Sequence, residues 1–228
     1  MRRVFSVATA HLSAGLRLGA GLFVGELGPR PDQPIELYDY EACPFCRRVR
    51  EAVTALDLRA VIYPCPRGGG FRDVVRERGG REMFPFMVDP NTDTEMYESA
   101  DIVEHLYKHY GASAVPLQLR GPLFVVSSAL ASAARATRGG YATESEVPEQ
   151  MLELYSFESS PYCKLVREEL SSMAIPYVLH SVAKKSPSRA AFVERSGRMM
   201  VPFLVDPNTG VEMFESADIV DYLRQTYR

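Results

Sequence analysis

The sequence predicts an α/β protein made of two tandem copies of one small mixed-sheet unit. Three observations carry this. Shifted by 117 positions, Glu36–Leu106 lies on Glu153–Leu223 without a gap, and 32 of the 71 aligned positions are identical. An ungapped match of that extent means one fold written twice. Within each copy, short alternating apolar runs are separated by segments with apolar residues at helical spacing. Turn signals recur at matching places, including DPNT at Asp89 and again at Asp206.

The first copy reads in order as follows. IELYDY (Ile35–Tyr40) alternates after a proline and predicts a strand. Pro44–Leu56 places Phe45, Val49, Val53 and Leu56 at helical spacing, with proline in the first turn, where it is tolerated. Arg59–Tyr63 is a second strand, and Phe71–Arg78 a short charged helix ended by Gly79-Gly80. Phe84–Asp89 is a third strand, and a PNTD turn leads into a fourth at Thr94–Tyr97. Ser99 is expected to cap a helix through Tyr107, with Ile102, Val103 and Leu106 inward. A right-handed crossover makes the first two strands parallel, and the short turn makes the last two antiparallel. This order is thioredoxin-like, and the second copy repeats it from Leu152 to Tyr222. The expected architecture is two tandem thioredoxin-like domains, 1–118 and 119–228. Each is a four-stranded mixed sheet with flanking helices and a preceding helix.

The preceding helices come from a weaker repeat. VFSVATAHLSAGLRLGAG from Val4 resembles LFVVSSALASAARATRGG from Leu123 at a shift of 119. Phe5 pairs with Phe124, Val7 with Val126, Ala10 with Ala129, and Ser13-Ala14 with Ser132-Ala133. The first segment has no acid before Glu26, a composition that also suits an organellar transit peptide. A copy in mid-chain argues instead for a structural helix. Each helix is expected to pack on its own unit or on its twin, the alternative being a floppy leader. Gly111–Arg120 and Gly139–Gln150 read as loops.

Composition narrows the function. The chain is 46% hydrophobic and 24% charged, with a formal charge of −3. No stretch concentrates Lys and Arg among aromatics, which excludes nucleic acid as the expected partner. The longest apolar run, Leu123–Ala134, is too short and too rich in Ser and Ala to span a bilayer, so a soluble protein is expected. Four cysteines do not make a secreted disulfide scaffold, and the pair Cys43/Cys46 is of the redox-active kind.

Cys43 precedes a helix, where unpaired backbone N–H groups and the helix dipole favour a thiolate, with Arg47 and Arg48 adding positive charge. Cys46 stands one turn on, placed to resolve a mixed disulfide. The alternatives are a structural pair or a metal-ligand pair. Zinc would want two further ligands, and only Cys65 is at hand, so no metal is expected. Cys65 is either a second resolving thiol or a free loop cysteine. In the second copy FESSPYCKLVR replaces Cys43 with Ser160. A hydroxyl cannot carry disulfide exchange, but it can donate a hydrogen bond to a bound thiolate. Cys163 is expected to be a half-buried thiol, and the four histidines surface or packing residues.

With CPFC opening the first helix, Phe84-Pro85 opening strand three and Glu98-Ser99 opening the last helix, the unit resembles a glutaredoxin. It resembles still more the N-terminal domain of a glutathione S-transferase. A CPFC motif also occurs in the membrane-associated type 2 prostaglandin E synthase, a weaker match. The tandem arrangement is similar to two-copy proteins of plants, algae and cyanobacteria, which implies an organellar, chloroplast location. The resemblance implies glutathione as cofactor. It implies that Pro85 and Pro202 are cis, with the backbones of Phe84 and Val201 free to pair with a peptide-like ligand. It also implies that Glu98-Ser99 and Glu215-Ser216 hold the γ-glutamyl end. Plain helix capping and strand-edge prolines are the bland alternatives. Arg67 or Arg72, and Lys184 or Lys185, are candidates for the glycyl carboxylate. The transferases follow this domain with a large helical one; here Tyr110 is followed by a short linker and one short helix. The favoured expectation is therefore a glutathione-linked thiol–disulfide oxidoreductase acting on protein disulfides. Its alternatives are an iron–sulfur binding module shared between two protomers of a homodimer, or a scaffold with vestigial sites. A transferase using Ser160 comes third.

Overall fold

A computed structural model describes residues 2–15, 17, 19–121, 124, 127–130, 135 and 137–228. The first half contains β1 (Ile35–Asp39), α2 (Pro44–Ala55), β2 (Ala60–Pro64), α3 (Phe71–Gly79), β3 (Phe86–Asp89), β4 (Thr94–Met96) and α4 (Ser99–Tyr110). The second contains β5 (Leu152–Ser156), α5 (Pro161–Ser172), β6 (Tyr177–Ser181), α6 (Arg189–Ser196), β7 (Phe203–Asp206), β8 (Val211–Phe214) and α7 (Ser216–Tyr227). Helix α1 (Arg2–Gly15) precedes both.

The two expected four-stranded sheets are one. Strand order is β4-β3-β1-β2-β6-β5-β7-β8. Within each half the pairings follow expectation: β1/β2 and β5/β6 are parallel, and the remainder antiparallel. The join is an antiparallel pairing of β2 with β6, Ala60 against Leu179 and Ile62 against Tyr177. In an isolated unit β2 would be an edge strand with a row of unpaired N–H and C=O groups. Pairing the two equivalent edges removes that liability and leaves only β4 and β8 as edges. One apolar core then runs through the seam, with Leu37, Val49 and Ile62 packed in the same cluster as Leu154, Val166 and Leu179.

Helix α2 buries Val49, Val53 and Leu56 as its spacing predicts, but Phe45 is 47% exposed. It lies in the first turn, beyond the reach of the core. Glu98, not Ser99, is the N-cap of α4, and no side chain caps that turn.

The leader helices meet the expectation in part: Arg47 of its own half donates to Ser13 of α1, and Arg135, in the segment that follows the twin helix, donates to Thr9. Helix α1 packs on α5 of the opposite half, with His11 edge-on to Tyr162 at 5.7 Å. Of its mid-chain twin, positions 122, 123, 125, 126 and 131–134 lie outside the described residues; Phe124 and 127–130 are helical. Ser128 Oγ donates to Pro44 O at 3.0 Å, at the start of α2 in the first half. Each leader therefore also reaches across the seam to the opposite half. The segments after them cross as well. Lys184 N–H donates to Leu22 O and Val24 N–H to Lys184 O; Arg67 N–H donates to Gly140 O and Ala142 N–H to Arg67 O. Gly21 and Gly139 make this crossing possible. Both have φ +73°, and a Cβ at either would lie 2.8 Å from the Cβ of Glu158 or Glu41 respectively.

No helix among the described residues is long and apolar enough to cross a membrane.

Candidate functional site

Cys43 ends the turn after β1 and is the N-cap of α2, with φ −78° and ψ 120°. Its Sγ accepts from Cys46 N–H at 3.2 Å. This is the ordinary N-cap geometry, the cap side chain accepting from the amide three residues on, while Pro44 occupies the N1 position, where no N–H is needed. Cys43 is 3% exposed and Cys46 fully buried. The two thiols are driven in opposite directions. A hydrogen bond from Cys46, then the Cys46 amide and the Arg50 guanidinium, overcome burial and hold the Cys43 pKa below its ordinary value. Burial, then the hydrogen bond to Cys43, push Cys46 well above its own. The helpful cation is Arg50, not Arg47 or Arg48. Arg47 is spent on Ser13 and Glu51, and Arg48 donates to Leu119 O while lying over Phe124.

Cys65 sits in a different environment from this pair. It is buried among Tyr38, Val75 and Phe86. Its thiol donates to Tyr63 O at 3.3 Å, and burial pushes its pKa up.

The peptide bonds before Pro85 and Pro202 are both cis. Pairing of Leu37 with Met87 and of Met87 with Met96 sets the level of each neighbour. Continuing that register puts Pro85 level with Asp39 on one side and Glu98 on the other. The Cys43 turn, the cis-proline and the Glu98-Ser99 turn thus meet at one end of the sheet. Tyr40 meets Phe84 edge-on at 5.9 Å, and Arg72 lies 4.8 Å over the Phe84 ring. Arg72 is held by Glu82 and by Cys65 O. Arg67 lies 5.7 Å over Tyr141, a residue carried in by the crossing strap. Glu98 has φ +64°, Glu215 φ +68°. Neither α4 nor α7 has a side-chain cap hydrogen bond. Ser99 and Ser216, their first residues, are buried.

The second half repeats the geometry with the sulfur removed. Ser160 caps α5 at φ −71° and ψ 117°, and its Oγ accepts from Cys163 N–H at 3.2 Å. Cys163 is fully buried, not half-buried, and burial raises its pKa. Phe157 stands where the first copy has Tyr40. Val201-Pro202 and Glu215-Ser216 occupy the matching places, and Lys184 and Lys185 lie 5.5 and 5.7 Å from the Phe23 ring of the other strap.

Sequence reasoning missed Arg50 and also Tyr40, whose hydroxyl faces Cys43. The signal for Arg50 was the identical Val-Arg-Glu at 49–51 and 166–168. The signal for Tyr40 was that the tyrosine is lost together with the cysteine.

Residues 37–114 and 154–228 each match the family described as "Glutathione S-transferase, N-terminal domain". No curated protein matches. Among solved structures, a unique trimeric glutathione transferase, TDR1 of Leishmania, is similar at 14% identity. The likeness covers 86% of this chain and 67% of that one, with a TM-score of 0.31.

Proposed function

From the premise that the chain belongs to the glutathione S-transferase N-terminal domain family, we propose that it is a glutathione-linked thiol–disulfide oxidoreductase. The observation that carries this is the opposed pair: Cys43 lowered at a helix N-terminus, Cys46 raised behind it. A nucleophile and a resolving thiol need that order of acidity. Cys43 thiolate attacks the glutathionyl sulfur of a protein–glutathione mixed disulfide. The old S–S bond breaks, and the protein thiolate leaves and takes a proton. Cys46, losing its proton, displaces glutathione thiol from Cys43 and closes a Cys43–Cys46 disulfide. Two glutathione thiols reduce that disulfide, giving glutathione disulfide and restoring both cysteines.

Glutathione would lie along the cis-proline. The backbones of Phe84 and Val201 suit its peptide groups. The Glu98-Ser99 and Glu215-Ser216 turns suit its amino-acid end, carboxylate on the amides and hydroxyl, ammonium on the glutamate. Arg67 and Lys184 or Lys185 suit the glycyl carboxylate. The half carrying Ser160 binds glutathione or is degenerate.

Mass spectrometry after exposure to oxidised glutathione tests this on the wild type and Cys43→Ser. A glutathione adduct or a Cys43–Cys46 disulfide, absent from the variant, is expected. Unmodified wild type, where free cysteine reacts, would sink the reading. Ser160 favours a second activity: its oxygen accepts from Cys163 N–H at the helix start, and a hydroxyl so placed suits donation to a bound thiolate. Conjugation of a model electrophile, lost in Ser160→Ala, is the outcome that reading requires.

A further inference from the structure

A cavity of about 290 Å³ opens at the seam, away from the cysteine pair. Asp57 and Arg59 line it from the first half, and Ser181, Ser188 and Arg195 from the second. The rings of Tyr155 and Phe192, stacked at 4.9 Å, form its apolar wall.

The repeat supplies its own control. At the positions equivalent to Asp57, Arg59, Ser181 and Ser188, the other copy has Ala174, Pro176, Pro64 and Phe71. On that side Phe71 packs on Tyr63 at 5.3 Å, and Tyr63 stacks on Tyr38 at 4.7 Å. Four polar residues thus replace apolar ones at one end of the seam only.

These polar groups are incompletely used. Ser181 is 6% exposed; its Oγ and Asp57 Oδ1 are buried with no hydrogen-bond partner within 3.5 Å, although the hydroxyls of Ser181 and Ser186 face the Asp57 carboxylate. Asp57 Oδ2 accepts from Ser188 Oγ at 3.1 Å. Arg195 is held by both oxygens of Glu212, at 2.8 and 2.9 Å. No acid pairs with Arg59 among the described residues. Buried polar atoms without partners are rare and call for an explanation. The space far exceeds one water and is near the lower end of small-ligand sites.

We propose that this seam cavity binds a free α-amino acid with an apolar side chain. Arg59 takes the carboxylate, Asp57 Oδ1 and Ser181 Oγ take the ammonium, and Tyr155 and Phe192 cover the side chain. A ligand without an ammonium would leave the buried acceptors unanswered, and one without a carboxylate would forgo the exposed Arg59 guanidinium. Because Arg59 and Ser181 lie on different halves, the occupant bridges the β2–β6 join.

The test is amide-shift NMR of the full chain titrated with L-leucine, 4-methylpentanoate and isoamylamine. L-leucine is expected to shift Arg59, His180 and Ser181 saturably. Each analogue lacks one charged contact and is expected to bind about tenfold more weakly. Ser188→Phe writes in the other copy's residue and should abolish the shifts, while glutathione adduct formation at Cys43 stays unchanged. Arg59→Gln, at an exposed position, should weaken L-leucine by a similar factor if Ser188→Phe folds poorly. No saturable shift up to roughly 10 mM, equal binding by 4-methylpentanoate, or undiminished binding in both variants would overturn the proposal.

Discussion

Arg167 donates from Nε to Glu41 Oε1 at 2.7 Å, joining residues 126 positions apart across the seam. The pseudo-symmetric partner bond runs from Arg50 Nε to Glu158 Oε2 at 3.2 Å. Lys164 Nζ adds a second bond to Glu41 at 3.1 Å. Both arginines are almost wholly buried. Burial alone would lift Glu41, but Arg167, Arg50 and Lys164 hold it well below the usual carboxylate range. Each arginine also pairs within its own half, Arg50 with Asp39 and Glu41 and Arg167 with Glu158, so the two halves share one buried charge network and separating them would strip each cation of part of its compensation.

Removing one member should expose that dependence. Glu41→Gln leaves Arg167 and Lys164 short of charge and is expected to cost about 3–5 kcal/mol in urea unfolding. Glu41→Leu combined with Arg167→Met should cost less than the sum of the two single changes. Strict additivity would mean that the crossed pair contributes no coupling.

Thiol reactivity should be ordered. Iodoacetamide near neutral pH is expected to modify Cys43 first, because its pKa is lowered while those of Cys46, Cys65 and Cys163 are raised by burial. The other three should react only on unfolding. Peptide mapping that finds Cys65 or Cys46 alkylated first would contradict this order.

Ser160→Cys should transplant the site. Ser160 and Cys43 share backbone angles within about ten degrees and accept the same i+3 amide at 3.2 Å. The variant is expected to fold with a stability change within about 1 kcal/mol, and to take up a second glutathione from oxidised glutathione. A stable variant without a second adduct would show that the second half is closed to glutathione.

Acid sensitivity should reside partly in the DPNT turns. Burial pushes Asp89 up, but hydrogen bonds from His105, Tyr110 and Asn91 bring its pKa from 3.8 down to about 2. A carboxylate lowered by folding stabilises the fold above its unfolded pKa and loses that contribution as pH falls through the folded one. The contribution of Asp89 should be complete above about pH 4 and fade toward pH 2. Asp89→Asn, which removes charged hydrogen bonds, is expected to cost about 2 kcal/mol at pH 7. It should also flatten the pH dependence in that window, as read by urea midpoints.

Much of the molecule was legible in the chain. The 117-residue repeat, period-two strands and proline-opened helices specified two copies of one α/β unit, because local backbone preference and core-facing periodicity act within a few residues. The same locality revealed the cysteine pair and its serine counterpart, since a helix N-terminus and a CPFC spacing are short-range features. The tertiary structure decided the rest. Whether two four-stranded sheets stay apart or join depends on whether β2 and β6 find each other's edges. That choice rests on contacts between residues more than a hundred positions apart. Arg50, Arg47 and Lys164 are buried in a network with Glu41 and Glu158 that helical spacing does not reveal. The reach of the leader helices across the seam, the straps over Arg67 and Lys184, and the cavity left by Ser188 depend on how one copy packs against the other. Within a copy, sequence spacing sets which groups meet. Between copies, burial of paired edges and opposite charges does.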